Sequence, residues 1–177
     1  MTEIMIPAWV EGTLQPVEKL AAHQRGLRHL AISVFIMDGT RTLLQRRADS
    51  KYHTPGLWTN ACCTHPHWGE TVEDAAPRRV AEELGIQGLT LRKRAEVEYR
   101  ADVGNGLIEH ELASIFIAEV DEATLRPRPN PNEVSETRWI ALDDLRADVA
   151  AHPETYTPWL AIYLAEHADR IFAEVAL

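Results

Sequence analysis

Apolar positions along the chain change period several times, and each change marks an element. Residues 30–37, LAISVFIM, form a continuous β-branched and aromatic run, which predicts a buried strand. Residues 41–48, RTLLQRRA, predict its hairpin partner across MDGT (37–40), where Asp38-Gly39 is a strong turn signal. Residues 70–85 predict a helix: Thr71 suits the N-cap, with Asp74 three residues on, and Gly85 suits the position after the last turn. Pro77 lies inside that helix and predicts a kink or a restart. Strands are predicted over 89–99, 107–120 and 136–142, with a Pro- and Asn-rich loop at 127–133. Residues 143–152 predict a helix. A final helix starts with Thr157 as cap and Pro158 in the first position, and carries Leu160, Tyr163, Leu164, Ile171 and Phe172 at helical spacing. This order predicts an α/β (α+β) fold in which helices pack against a mixed sheet.

Length and composition narrow the picture. The 177 residues suit one domain spanning 1–177, with no repeat or linker. A net charge of −9 argues against a long contact with nucleic acid, although a local cluster of cations can still hold a small anion. The longest apolar run is too short to cross a bilayer, and residues 1–15 lack a signal-peptide pattern. The only two cysteines, Cys62 and Cys63, are adjacent and so cannot easily bridge each other. The expectation is a cytoplasmic protein in a reducing setting, a monomer or weak dimer with no nucleic-acid or membrane partner.

Two segments carry candidate chemistry. In TNACCTHP (59–66), extended backbone would put Cys63 and His65 on one face and Cys62 on the other, as a small core residue. In LIEHEL (107–112), Glu109 and Glu111 share a face and His110 points away. Two like charges so placed are either a solvated edge or a pair converging on a cation. Five of the eight histidines lie early in the chain, at 23, 29, 53, 65 and 67. Three imidazoles with two carboxylates would suit Mn²⁺, Zn²⁺, Fe²⁺ or Mg²⁺, with more ligands than structural zinc takes. Arg46, Arg47 and Lys51 cluster nearby, either as a solvated face or as a phosphate clamp.

Thr64, Glu70, Arg78, Glu82, Glu83, Gly85 and Ile86 match most of the Nudix box, G-x5-E-x7-R-E-U-x-E-E-x-G-U. Thr64 stands where the box has its first Gly, and Arg79 where it has the Glu that helps hold hydrolytic metal ions. A cation there opposes metal binding and with it diphosphate hydrolysis. The segments LAAH before GLRHLA, RRADSKY, WTNACCTHP, the E-x-E strand and the late TPW together resemble the type I isopentenyl-diphosphate delta-isomerases, from about Lys19 to Trp159.

The resemblance implies a Nudix α/β/α sandwich with added N- and C-terminal elements. It implies an enzyme interconverting isopentenyl and dimethylallyl diphosphate in isoprenoid biosynthesis. It places catalysis on Cys63, on Glu111 with Tyr99, and on Trp159 over the carbocation. It places one divalent ion (Mn²⁺, Mg²⁺ or Zn²⁺) on His23, His29, His65, Glu109 and Glu111. Lys19, Arg47, Lys51 and Arg79 would contact the diphosphate. Glu83 and the carbonyl of Cys63 would hold an Mg²⁺ that arrives with it. The competing readings are a Nudix diphosphohydrolase, a non-enzymatic metal- or phosphate-binding domain, and a redox role for the paired cysteines.

Overall fold

Residues 4–173 are described in a computed structural model, so residues 1–3 and 174–177 of the expected domain lie outside the described residues. The first elements are a hairpin, β1 (Met5–Val10) and β2 (Thr13–Glu18), turned at Glu11 and Gly12, both at positive φ. Then come α1 (Lys19–Gln24), β3 (His29–Asp38), β4 (Arg41–Arg47), β5 (Trp58–Asn60), β6 (Cys62–Thr64) and α2 (Val72–Leu84). They are followed by β7 (Arg92–Asp102), β8 (Ile108–Glu119), β9 (Val134–Ala141), α3 (Leu142–Ala151), α4 (Pro158–Glu166) and α5 (Ala168–Phe172).

β3 is the hub of a mixed sheet. It pairs with β8 in parallel along most of its length, from His29↔Glu111 to Met37↔Glu119, and β7 pairs antiparallel with β8. The expected β3–β4 hairpin exists only at its turn, in the pairs Met37↔Thr42 and Asp38↔Arg41. Beyond them the strands splay, because each finds another partner: β4 takes β9 and β5, while β3 takes β6. The segment WTNACCT therefore crosses from one splayed strand to the other. That crossing puts Cys63 in the cleft between them.

The alternation of β3 sorts the core into two layers. Ile32, Val34 and Ile36 pack on one face with Ala75, Ala76, Val80 and Leu84 of α2, and Cys62 joins them fully buried. Ala31, Phe35 and Met37 pack on the other face with Leu145, Leu160, Tyr163, Ile171 and Phe172 of α3, α4 and α5. Two helical layers thus enclose the sheet. Every other residue of β8 from Glu109 onward turns to the second layer, so Glu109 and Glu111 continue the line of Ala113, Ile115 and Ile117.

The caps of α2 follow the sequence. Thr71 Oγ1 accepts from the Asp74 backbone N–H at 3.1 Å, and Gly85 closes the helix at φ 65°. Pro77 does not restart the helix, which runs unbroken through it. Its missing N–H leaves free only the carbonyl of Glu73, an exposed residue that water can serve, while buried Ala75 and Ala76 anchor that turn. Past Gly85 the 127–133 loop folds back: the N–H groups of Arg128 and Asn130 donate to the carbonyls of Leu84 and Glu83, which sets Glu133 beside the site. Among the described residues no helix is long and apolar enough to cross a membrane.

Candidate active site

Three imidazoles and a carboxylate converge where α1, β3, β6 and β8 meet. One ligating atom from each of His23, His29, His65 and Glu109 lies within 4.8 Å of the others. All four residues are buried. His23 Nδ1 donates to the Lys19 carbonyl at 2.6 Å and His29 Nδ1 to the Leu27 carbonyl at 2.7 Å, so each ring is oriented with Nε2 facing inward. His23 Nε2 stands 3.1 Å from Glu109 Oε2, yet neither atom has a hydrogen bond of acceptable geometry. His29 Nε2 faces His65 Nε2 at 3.2 Å. Ligating atoms grouped this closely, with buried His23 Nε2 and Glu109 Oε2 left unsatisfied, are what a divalent cation would satisfy, and this donor set fits one.

Glu111 flanks this group. Its Oε1 lies 3.0 Å from His65 Nε2 and 3.7 Å from His29 Nε2, and its Oε2 accepts the Tyr99 hydroxyl at 2.7 Å. The two carboxyls respond oppositely to the site. Burial pushes Glu111 up, and the neighbouring Glu109 adds to this. Burial also pushes Glu109 up, but His23, His29 and His53 outweigh it and hold Glu109 well below the usual range. In His29 burial favours the neutral ring, yet Glu109 and Glu111 raise its pKa to about 10. In His65 burial, with Lys19 and the other rings, drives the pKa well down.

Cys63 faces the same cavity. Its thiol lies 2.9 Å from Asn60 Oδ1 and 2.9 Å from Ser33 Oγ, and burial pushes its pKa up to about 12 against a lowering contribution from Ser33. Asn60 is fixed in turn by donating to the carbonyls of Val34 and Cys62. Cys62 faces away, as alternation requires.

Four cations line the cavity with these groups. A register shift between Arg46 and Arg47 turns Arg47 inward while Arg46 stays exposed. Arg47 donates to the carbonyls of Thr54 and His53, each at 3.1 Å, and its guanidinium lies 5.4 Å from the Trp159 ring centre. Arg79 bonds Glu82 Oε2 at 2.7 Å and Glu83 Oε1 at 2.5 Å, and both Arg79 and Lys51 pair with Glu133. Burial, then Lys51 and Arg79, lower Lys19 to about 8. Trp159 is 2 % exposed and donates Nε1–H to Thr59 Oγ1 at 2.9 Å. Thr157 Oγ1 also bonds Thr59, at 3.0 Å, and caps no backbone N–H, although it does occupy the N-cap of α4.

One cavity of about 420 Å³, counting its open mouth, is lined by every residue expected in the site except His23 and His29, which are fully buried. The solvated-edge alternative for Glu109 and Glu111 is wrong, because β8 lies between β3 and β7. Glu83 is inside, with both oxygens engaged, by Arg79 and by Gln45 at 2.9 Å. His67 is exposed and outside the cluster. The Arg46 side chain bonds the Gly56 carbonyl at the surface. Sequence reasoning missed three wall residues, Tyr52, Thr64 and His53, and of these His53 places its Nε2 3.1 Å from Glu109 Oε1. It sits in a loop, where no periodicity aims a side chain; its only signal was membership of the histidine cluster.

Residues 27–160 match the NUDIX domain family. A Deinococcus radiodurans crystal structure, 21% identical, superposes with a TM-score of 0.73 over 90% of this chain and 96% of its own. A MutT Nudix hydrolase from Burkholderia pseudomallei, 28% identical, gives 0.61 over 79% and 98%. Much nearer are proteins named isopentenyl-diphosphate Delta-isomerase. The one from Rhodobacter capsulatus is 59% identical over 99% of both chains. That of Cereibacter sphaeroides is 64% identical over 99% of this chain and 98% of its own, and that of Dinoroseobacter shibae 62% over 97% of each. Sequence identity at this level and coverage, on a Nudix domain whose helix carries Arg79, makes this chain a member of the isopentenyl-diphosphate Delta-isomerase family.

Proposed function

We propose that this protein isomerises isopentenyl diphosphate by proton transfer between Glu111, with Tyr99, on one side of the alkene and Cys63 on the other. As a member of its family the protein interconverts isopentenyl and dimethylallyl diphosphate in isoprenoid biosynthesis. The observation that carries the residue assignment is the grouping of a buried thiol, a buried carboxyl with its tyrosine, and a tryptophan in one cation-lined cavity.

The alkene is unactivated, so adding a proton to its terminal carbon is the difficult step. Glu111 in its acid form delivers that proton, and Tyr99 holds the carboxyl in position. The product is a tertiary carbocation. Cys63 as thiolate then takes a proton from the carbon two positions along, and the double bond closes there. The forward direction ends with a Glu111 carboxylate and a Cys63 thiol. The reverse direction starts from that pair, and the raised pKa of Cys63 favours its thiol. Proton exchange with solvent resets the two groups.

Trp159 faces the cation. A desolvated cation–π contact is worth about 2 kcal/mol, which at about 1.4 kcal/mol per decade exceeds tenfold in rate. Its bulk also excludes water. Lys19, Arg47, Lys51 and Arg79 hold the diphosphate, whose binding energy fixes the alkene between acid and base. Phosphate oxygens on Arg79 would compete with its Glu83 contact, and Glu83, with the carbonyl of Cys63, would then hold the Mg²⁺ that accompanies the substrate. His23, His29, His65 and Glu109, with Glu111 beside them, would hold a divalent ion (Mn²⁺, Mg²⁺ or Zn²⁺), whose positive charge would offset the buried carboxylates.

The test is NMR of isopentenyl diphosphate with the purified protein and Mg²⁺ in D₂O, following proton and phosphorus signals. Deuterated dimethylallyl diphosphate with its diphosphate intact is expected. Release of phosphate without isomer would sink the proposal and point to a Nudix hydrolase.

A further inference from the structure

His53 touches the ion site without belonging to it. Its ring is 4 % exposed and confined on several sides. It stacks on His23 at 5.5 Å, and meets Tyr52 at 4.5 Å and Trp159 at 6.0 Å edge to face. Its Nε2 lies 3.1 Å from Glu109 Oε1 and outside the cluster formed by His23, His29, His65 and Glu109. A carboxylate oxygen only accepts, so this contact favours the tautomer with its proton on Nε2. Nδ1 lies 3.1 Å from the Thr54 hydroxyl, which can donate to it.

The backbone here is held with unusual force. Thr54 sits at φ 45°, an uncommon conformation for a β-branched residue. It is restrained by Arg47, which donates to the carbonyls of both His53 and Thr54. Strain of this kind persists where surrounding bonds over-determine it, as they do at this dipeptide.

Glu109 uses its two oxygens differently. Oε1 faces His53, while Oε2 faces His23 at 3.1 Å and His29 at 3.5 Å. We propose that His53 is a positioning residue for Glu109: it ties down Oε1 so that Oε2 is presented to the ion site. The proposal rests on the ion-binding reading above. His53 would then do for the carboxylate what the Lys19 and Leu27 carbonyls do for His23 and His29. Such outer partners typically govern metal affinity by about 10–100-fold.

The experiment is a titration of chelator-stripped, full-length protein with Mn²⁺, reading free ion by electron paramagnetic resonance. His53→Gln keeps an N–H donor near the place of Nε2, whereas His53→Asn keeps one only near Nδ1. His53→Asn is expected to bind Mn²⁺ about 10–100-fold more weakly than wild type, and His53→Gln within about threefold of it. Thermal midpoints of the two metal-free variants should coincide, since both lose the same ring packing. Equal Mn²⁺ affinities in the two variants, whether both tight or both weak, would overturn the proposal. His23→Ala separates it from the reading beneath it. Wild-type affinity in His23→Ala would remove the ion site and this inference together. Loss of binding in His23→Ala, with Asn and Gln at 53 alike, would remove the inference alone.

Discussion

Tyr99 and Glu111 stand directly opposite each other in the antiparallel β7–β8 ladder, and the Tyr99 hydroxyl donates to Glu111 Oε2 at 2.7 Å. Strand register alone thus places a donor on the carboxyl that is proposed to protonate the alkene. Tyr99→Phe removes only the hydroxyl and keeps the ring that packs edge to face on Tyr163. The expected result is a fall in kcat of about 10²-fold, with KM for isopentenyl diphosphate little changed. Steady-state kinetics with circular dichroism on the same sample checks it. An unaltered kcat would take Tyr99 out of the proton-transfer unit.

The adjacent cysteines should separate cleanly. Cys62 is fully buried against Ile32, Val34 and Ala75, whereas Cys63 opens to the cavity. Cys63→Ala is expected to lower kcat by at least about 10²-fold while leaving substrate affinity in place. Cys62→Ala should keep most activity and cost about 1 kcal/mol of stability. Because burial holds the Cys63 thiol at about 12, alkylation by iodoacetamide should be slow at pH 7 and accelerate as pH rises. Near-wild-type turnover in Cys63→Ala would refute its role as base.

Lys19 predicts a pH dependence. Burial, with Lys51 and Arg79 nearby, brings its pKa in the free protein down from 10.5 to about 8. Below that value Lys19 is an ammonium, which in the proposed role would attract the diphosphate; above it the group is neutral and that attraction would be lost. KM for isopentenyl diphosphate should therefore rise as pH climbs through about 8. Binding at pH 8 to 9 should also take up protons, because the bound anion restores the charge. Calorimetry in buffers of different ionisation enthalpy reads that uptake. Lys19→Arg, which stays charged, should flatten the KM profile, and a wild-type KM constant from pH 7 to 9.5 would contradict the assignment.

What was legible in the sequence was whatever rests on period and caps. The run at 30–37, the helix bounded by Thr71 and Gly85, and the shared face of Glu109 and Glu111 follow from alternation and end chemistry that act within a few residues. The opposite orientations of Cys62 and Cys63 follow in the same way. The β1–β2 hairpin escaped because Pro7 and Pro16 interrupt both strands, and its turn is Glu-Gly, whose first residue gives a weak signal. Pairing beyond the turn of β3 and β4 also escaped. The parallel partnership of β3 with β8, and the crossing of 58–64 between splayed strands, depend on residues far apart in the chain. Arg79, expected as a phosphate cation, has two partners that helical i, i+3 and i, i+4 spacing supplies and a third, Glu133, that it does not. In the free protein Arg79 is held by Glu82, Glu83 and Glu133.

Gly85 links the fold to the site, and its substitution should show both. It closes α2 at φ 65°, a conformation costing other residues about 1–2 kcal/mol. It is also crowded: a Cβ there would lie 2.7 Å from the Arg128 carbonyl oxygen and 2.9 Å from Arg128 Cβ. Gly88 supplies the comparison, since it has φ 75° but open space around the same added atom. Gly88→Ala should cost only the conformational part, about 1–2 kcal/mol. Gly85→Ala should cost about 3 kcal/mol, a fall in Tm of about 6–12 °C for a chain of this size. The extra loss is the displacement of the 127–133 loop, whose N–H groups at Arg128 and Asn130 bond the Leu84 and Glu83 carbonyls. Since Glu133 on that loop pairs with Lys51 and Arg79, the same shift should raise KM for the diphosphate in Gly85→Ala and leave it unchanged in Gly88→Ala. Thermal melts and kinetics on the two variants decide it; equal losses of stability would mean that the Arg128 contact yields without cost.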